Sequence, residues 1–241
     1  LYLSYANSPE QSGMAILSLL FGADVDANYW YQKWQRKDIA FHEGETNPFL
    51  AAHFSALNLA PGSRVFVPLC GKTRDIAWLL TQGYAVVGAE LSEVAVAELF
   101  AELGVEPKMS KVGDLVLCQA NNLDIFIGDI FNLGQSLLGK VNAIYDRAAL
   151  VALPFDMRTA YTAHLMKITG AAPQLLITFE YDQQLMDGPP FSITQAELKR
   201  HYGDHYQLDA LGAAEVAGGL KGKVVALETA WLLHPSIINV F

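Results

Sequence analysis

Short apolar runs of about five residues alternate along the chain with longer stretches of helical periodicity, a pattern that predicts an α/β fold. Arg64 to Pro68 and Val86 to Ala89 read as the first two buried strands, and Leu123 to Ile127, Val141 to Tyr145 and Gln174 to Glu180 continue the sheet. Helices are predicted between them at Arg74 to Gln82, Glu93 to Leu103, Asp156 to Thr169 and Thr194 to Tyr202. Gly83 stands where a left-handed cap is needed, and Ser92 where an N-cap is needed. Upstream, Trp30, Tyr31 and Trp34 share helical spacing within Asn28 to Lys37, and Pro48 opens a helix that stops at Pro61-Gly62. Asp114 to Cys118 is expected to pair with Leu123 to Ile127 as a hairpin. Tyr206 to Leu211 and Val224 to Leu232, joined through Gly218-Gly219 and Gly222, predict an antiparallel closing hairpin at the sheet edge. The whole reads as a doubly wound sheet.

Composition narrows the partners. With 241 residues, 52% of them hydrophobic and 17% charged, the chain can bury a full core. One domain over residues 26–241 is expected, preceded by an extension over residues 1–25 that is flexible or foreign to the native chain. A net charge of -9 repels nucleic acid and anionic membrane surfaces and suits a small ligand. No run spans a bilayer, and Met14 to Phe21 lacks the basic lead of a signal peptide. Cys70 and Cys118 form neither a metal-ligand spacing nor a disulfide framework, which fits a reducing, cytoplasmic setting. The six histidines show no metal spacing supported by acids, so no metal is expected. No serine occupies a nucleophile elbow. Lys72 follows Gly71 as in a phosphate loop, but Phe66 stands where the leading glycine belongs.

In an open α/β sheet, ligands lie outside the carboxyl ends of the strands. Those ends carry Leu69-Cys70-Gly71, Glu90, Asp129-Ile130 and Asp146-Arg147. Glu90 stands where a ribose is gripped, Asp129 can accept from an adenine amino group, and Ile130 offers that ring an apolar face. Each acid also has an ordinary reading as a helix cap or solvated charge, and Arg147 as an ion-pair partner. The loop lacks the further glycines that a pyrophosphate needs, so the predicted ligand is an adenosine without phosphates, with S-adenosylmethionine the obvious candidate. Trp30, Trp34 and Phe41 form a lid over its sulfonium or are simply core. A nicotinamide-dependent oxidoreductase would use Glu90 equally well, but the absent G-x-G-x-x-G disfavours it. A donor-binding module without catalysis is the third reading.

Longer strings carry a resemblance. NYWYQKWQRKDIAFHEGETNP from Asn28, VFVPLCGKTRDIAWL from Val65, VVGAELSEVAV from Val86, GDIF from Gly128, YDRAALVALP from Tyr145 and FEYDQQLMDGPPFSI from Phe179 are similar to the thiopurine S-methyltransferases, above all the bacterial members. The resemblance implies a class I methyltransferase sheet of seven strands, mostly parallel, with the last strand antiparallel. It implies donor binding by Trp34, Leu69, Glu90 and Arg147, with Asp129 and Ile130 near the adenine and S-adenosylhomocysteine as product. The acceptor side would comprise Phe41 and the Gly188-Pro189-Pro190-Phe191 segment, with Arg147 facing either the donor's carboxylate or the acceptor. An aromatic or heterocyclic thiol is the implied acceptor, with selenium or tellurium compounds as further targets, and a monomer is expected. An acceptor that ionises by itself needs no general base, so none is assigned. The sequence departs from animal members before the last strand, where Lys221 and Lys223 stand and no arginine is found.

Overall fold

Each central strand sends its side chains alternately into two cores, so the sheet is buried on both faces. The computed structural model describes residues 27–39 and 44–236. Its strands are β1 (Arg64–Pro68), β2 (Ala85–Glu90), β3 (Lys108–Val112), β4 (Leu115–Ala120), β5 (Leu123–Ile127), β6 (Ala143–Arg147), β7 (Gln174–Glu180), β8 (Tyr206–Glu215) and β9 (Leu227–Pro235). Its helices are α1 (Ala27–Gln35), α2 (Pro48–His53), α3 (Arg74–Thr81), α4 (Glu93–Leu103), α5 (Gln135–Leu138), α6 (Phe155–Thr169) and α7 (Gln195–Tyr202). In β1, Val65 and Val67 enter the core shared with α2, α3 and α4, while Phe66 enters the opposite core shared with α5, α6 and α7. The strand period of two produces this division, and covering both faces explains why the strands are continuous apolar runs.

The strands form one sheet in the order β3-β4-β5-β2-β1-β6-β7-β9-β8. From β1 the chain enters β2 beside it, crosses to the edge strand β3 and returns inward through β4 and β5, then passes to the other side of β1 for β6 and β7. The two directions part between β1 and β6, and a crevice is expected at the carboxyl ends there. The doubly wound fold agrees with the sequence reading, but the sheet has nine strands rather than seven. The additional pair is β3 and β4: β4 runs antiparallel to both β3 and β5, and its pairing with β5 is the hairpin expected from the sequence. KMSKV of β3 is polar and exposed nearly throughout, so no apolar alternation announces it. β9 runs antiparallel to both neighbours and is inserted between β7 and β8. The closing hairpin is therefore as expected, but β8 is its edge strand and the final strand is internal.

Caps set the helix starts. The Asn47 side chain accepts from the amides of Phe49 and Leu50 ahead of Pro48, and Ser92 accepts from Ala95. Asp75, buried in the first turn of α3, accepts from the Asn47 amide at 2.8 Å and from the Tyr145 hydroxyl at 2.9 Å. That carboxylate ties the segment entering β1 to the centre of the sheet. Among the described residues, no helix is long and apolar enough to cross a membrane.

Candidate active site

The loop leaving β1 is bent hard. Leu69 has φ 45° and Gly71 φ 52°, both in the left-handed region, where a leucine stores strain. The bend turns the Cys70 amide onto the Ala89 carbonyl (3.0 Å) and aims the Gly71 amide at Glu90 Oε2 (2.7 Å). Glu90, last residue of β2, receives the Ser92 amide on its other oxygen at 2.8 Å. Only 6% of this carboxylate-bearing residue is exposed. Burial raises its pKa, an effect that the backbone donors Ser92, Gly71 and Leu91 only partly reverse. A carboxylate with one amide on each oxygen keeps lone pairs for further donors, as a pair of vicinal hydroxyls would supply.

The Glu90 carbonyl accepts from the Gly128 amide at 2.9 Å, which brings the end of β5 beside it. Asp129 follows and caps a short turn, accepting from the Phe131 amide at 2.9 Å, while Ile130 is buried in the sheet's core. Trp34 of α1 is buried against the loop after β1: a Cβ on Gly71 would lie 3.0 Å from its Cζ2. A side chain at position 71 would have to push this ring aside by a few tenths of an ångström. Tyr31, one turn earlier on the same helix, has its phenol pKa raised by burial and then by the charges of Glu93, Asp129 and Glu90. This tyrosine lies within electrostatic reach of the three acids, and the sequence reading named it on the helix but not as a site residue. Its i, i+3 relation to Trp34 was the available signal.

Leu69, Glu90, Asp129, Ile130 and Trp34 thus share one end of the sheet. Arg147 closes β6 at the same end and is partly buried. Its neighbour Asp146 faces the other way, fully buried, accepting from Tyr161 at 2.7 Å and Leu150 at 3.1 Å, with burial raising its pKa to about 6. Asp146 is accordingly a support for the turn after β6. Lys72 is committed to Glu98 (2.8 Å) and Glu102 (2.7 Å) on α4, consistent with a loop that binds no phosphate. Phe41 lies outside the described residues.

The Gly188-Pro189-Pro190-Phe191 segment is braced on several sides. The Tyr181 hydroxyl donates to the Pro190 carbonyl (2.6 Å), and the Phe191 amide to Val151 (2.6 Å) in the turn after β6. Lys221, in the turn between β8 and β9, donates to the Pro189 carbonyl at 2.5 Å. Burial lowers the Lys221 pKa, helped by Lys33 and Lys223 and opposed by Asp38, so this ammonium also lies near the end of α1. Pro189 is buried and Phe191 partly so.

The family model of thiopurine S-methyltransferase matches residues 25–231. This chain belongs to that family. The thiopurine S-methyltransferase of Xanthobacter autotrophicus is 56% identical over 211 residues, covering 87% of this chain and 99% of the relative. That of Teredinibacter turnerae is 52% identical over 213 residues, covering 88% and 99%. A solved 1,6-didemethyltoxoflavin-N1-methyltransferase from Burkholderia thailandensis, with bound 1,6-didemethyltoxoflavin and S-adenosylhomocysteine, shares the fold at TM-score 0.59 and 16% identity, covering 96% of this chain and 93% of that one. As a thiopurine S-methyltransferase family member, the chain is an S-adenosylmethionine-dependent methyltransferase. The residues present fit that donor: Glu90 offers a buried anion to hydroxyls, the single-glycine loop makes no pyrophosphate cradle, and Trp34 walls the loop with an aromatic face.

Proposed function

We propose that this methyltransferase carries the methyl group to the sulfur of an aromatic or heterocyclic thiol, with Trp34, Leu69, Glu90, Asp129, Ile130 and Arg147 binding the donor. The observation that carries the reading is the buried Glu90 carboxylate, pinned between the Gly71 and Ser92 amides at the end of β2. The acceptor borders Phe41, Arg147 and the Pro189-Pro190-Phe191 segment, and Lys221 supplies a positive charge on that side. The donor brings an electrophilic methyl group on a positively charged sulfur. Transfer to a thiolate is an in-line displacement in which two opposite charges vanish, so a site from which Trp34 and the braced loop exclude water favours it. Holding the two sulfurs and the carbon in line supplies the larger share of the rate. A heterocyclic thiol ionises near neutral pH by itself, so no side chain is assigned as general base.

We further read residues 26–241 as one catalytic domain, monomeric and cytoplasmic, with α1 as its lid. Calorimetry with S-adenosylhomocysteine, followed by transfer of labelled methyl to 6-mercaptopurine, to thiophenols and to selenium and tellurium oxyanions, tests the assignment. Tight donor binding with turnover on a thiol is expected. Donor binding with turnover on none of the thiols would overturn the acceptor class.

Gly188 gives a more local test. Its φ is 85°, and an added Cβ would lie 2.6 Å from Cδ1 of Phe191. Gly188→Ala should therefore displace that ring and raise the acceptor KM about tenfold, with donor affinity unchanged. Steady-state kinetics with 6-mercaptopurine and calorimetry with S-adenosylhomocysteine separate the two effects.

A further inference from the structure

Arg158 of α6 is 5% exposed and held from four directions. Its Nε donates to Glu197 Oε1 at 2.6 Å, and its Nη1 to the Leu153 carbonyl at 2.8 Å. Its guanidinium carbon lies 5.4 Å from the ring centroid of Phe155 and 5.5 Å from that of Phe191. Glu197 is itself fixed: its amide donates to Thr194 Oγ1 at 3.2 Å, and the His201 ring lies 3.3 Å from Oε1. Burial alone would raise the Glu197 pKa, but the hydrogen bond from His201 and the charge of Arg158 hold it below the ordinary value.

Burying a guanidinium and a carboxylate costs more than it returns unless the remaining donors and acceptors are satisfied. Here Nε and Nη1 each find an oxygen, and the guanidinium joins parts of the chain that no strand connects: the turn after β6, the loop that carries Phe191, and α7. Phe191 is gripped twice over, its amide on Val151 and its ring against Arg158. Both grips belong to one rigid unit, because Val151 and Leu153 lie in the same turn. That turn begins directly beyond Arg147, with Ala148 at φ 62° marking the bend.

We propose that Arg158, locked by Glu197, is a positioning residue for the acceptor: it sets the Phe191 ring and the turn after Arg147 as one wall of the acceptor pocket. This rests on the reading that Phe191 borders the acceptor. A lysine in its place keeps the charge but loses the fork and the flat stacking surface. Arg158→Lys should raise the KM for 6-mercaptopurine about tenfold, and leave kcat and the affinity for S-adenosylhomocysteine within about twofold. In a double-mutant cycle with Phe191→Leu, the two effects on KM should be clearly less than additive, because one residue acts through the other.

A purely structural role would instead lower the melting temperature, with KM and donor affinity moving together or not at all, and that result overturns the proposal. Additive effects on KM overturn it too. If Arg158→Lys does not fold, Glu197→Gln keeps the volume, releases the fork, and should produce the same selective rise in KM. The underlying reading fails separately: Phe191→Leu with unchanged acceptor KM would remove Phe191 from the pocket. A raised KM in Phe191→Leu with none in Arg158→Lys or Glu197→Gln removes only the positioning role.

Discussion

Glu90→Ala is expected to weaken S-adenosylhomocysteine binding by at least about a hundredfold, since two hydrogen bonds to a charged acceptor are each worth roughly 1.5–3 kcal/mol. The side chain lost presents a buried carboxylate with one amide on each oxygen, oriented towards the loop after β1. The substitution also leaves the Gly71 and Ser92 amides without their acceptor, so some stability is lost and a melting curve run beside the titration must show the variant folded. Ligand hydroxyls donate to the ionised form, so protonation competes with binding. Donor affinity should therefore fall as the pH is lowered through the Glu90 pKa, which burial holds above the ordinary glutamate value. Glu90→Gln should bind weakly at every pH and lose this dependence. Calorimetric titration across the range reads both, and an affinity for Glu90→Ala equal to that of the unsubstituted chain would refute the ribose assignment.

Asp75→Ala should produce a large loss of stability, about 3–5 kcal/mol, because it strands two buried donors, the Asn47 amide and the Tyr145 hydroxyl. For a chain of this size that corresponds to a fall in melting temperature on the order of 10 °C. The effect should extend to α2, whose cap Asn47 also donates to Glu228 at 3.2 Å. Tyr145→Phe removes only one of the two bonds and should cost about 1 kcal/mol. Thermal unfolding of the three proteins side by side checks the order. Equal melting temperatures for Asp75→Ala and Tyr145→Phe would show that the Asn47 amide finds another acceptor.

Local sequence signals were sufficient for most of the sheet. The runs from Arg64, Leu123 and Gln174 are strands because an apolar segment buried on both sides leaves little else for the backbone to do. Thr73, Ser92 and Thr194 start helices by accepting nearby amides, an interaction that spans only two or three residues. What escaped was non-local. β3 exists because β4 offers it a partner edge, and nothing in Lys-Met-Ser-Lys-Val shows that partner. The boundaries of β8 and β9 moved for the same reason, with a register irregularity at Ala210 and Gly212 where His53 packs close to the glycine.

The site divides in the same way. Glu90, Leu69 and Gly71 were legible because a strand end, a glycine and an acid recur at fixed spacing, and the chemistry of a ribose calls for them. Asp146 looked equivalent by position, but strand pleating turns it into the core, onto Tyr161. Arg158 carried no local mark, since its partner Glu197 lies 39 positions away, and for Tyr31 the helical spacing with Trp34 gave no sign of the acids 59 and more positions away. The sequence by itself determined the order of elements, the absence of a pyrophosphate cradle and the carboxylate at position 90, all properties of neighbours along the chain. Only the tertiary structure decided which charges face the crevice and which face a partner in the core. That choice depends on distances between residues far apart in sequence, and the free energy of a charge is set by what surrounds it.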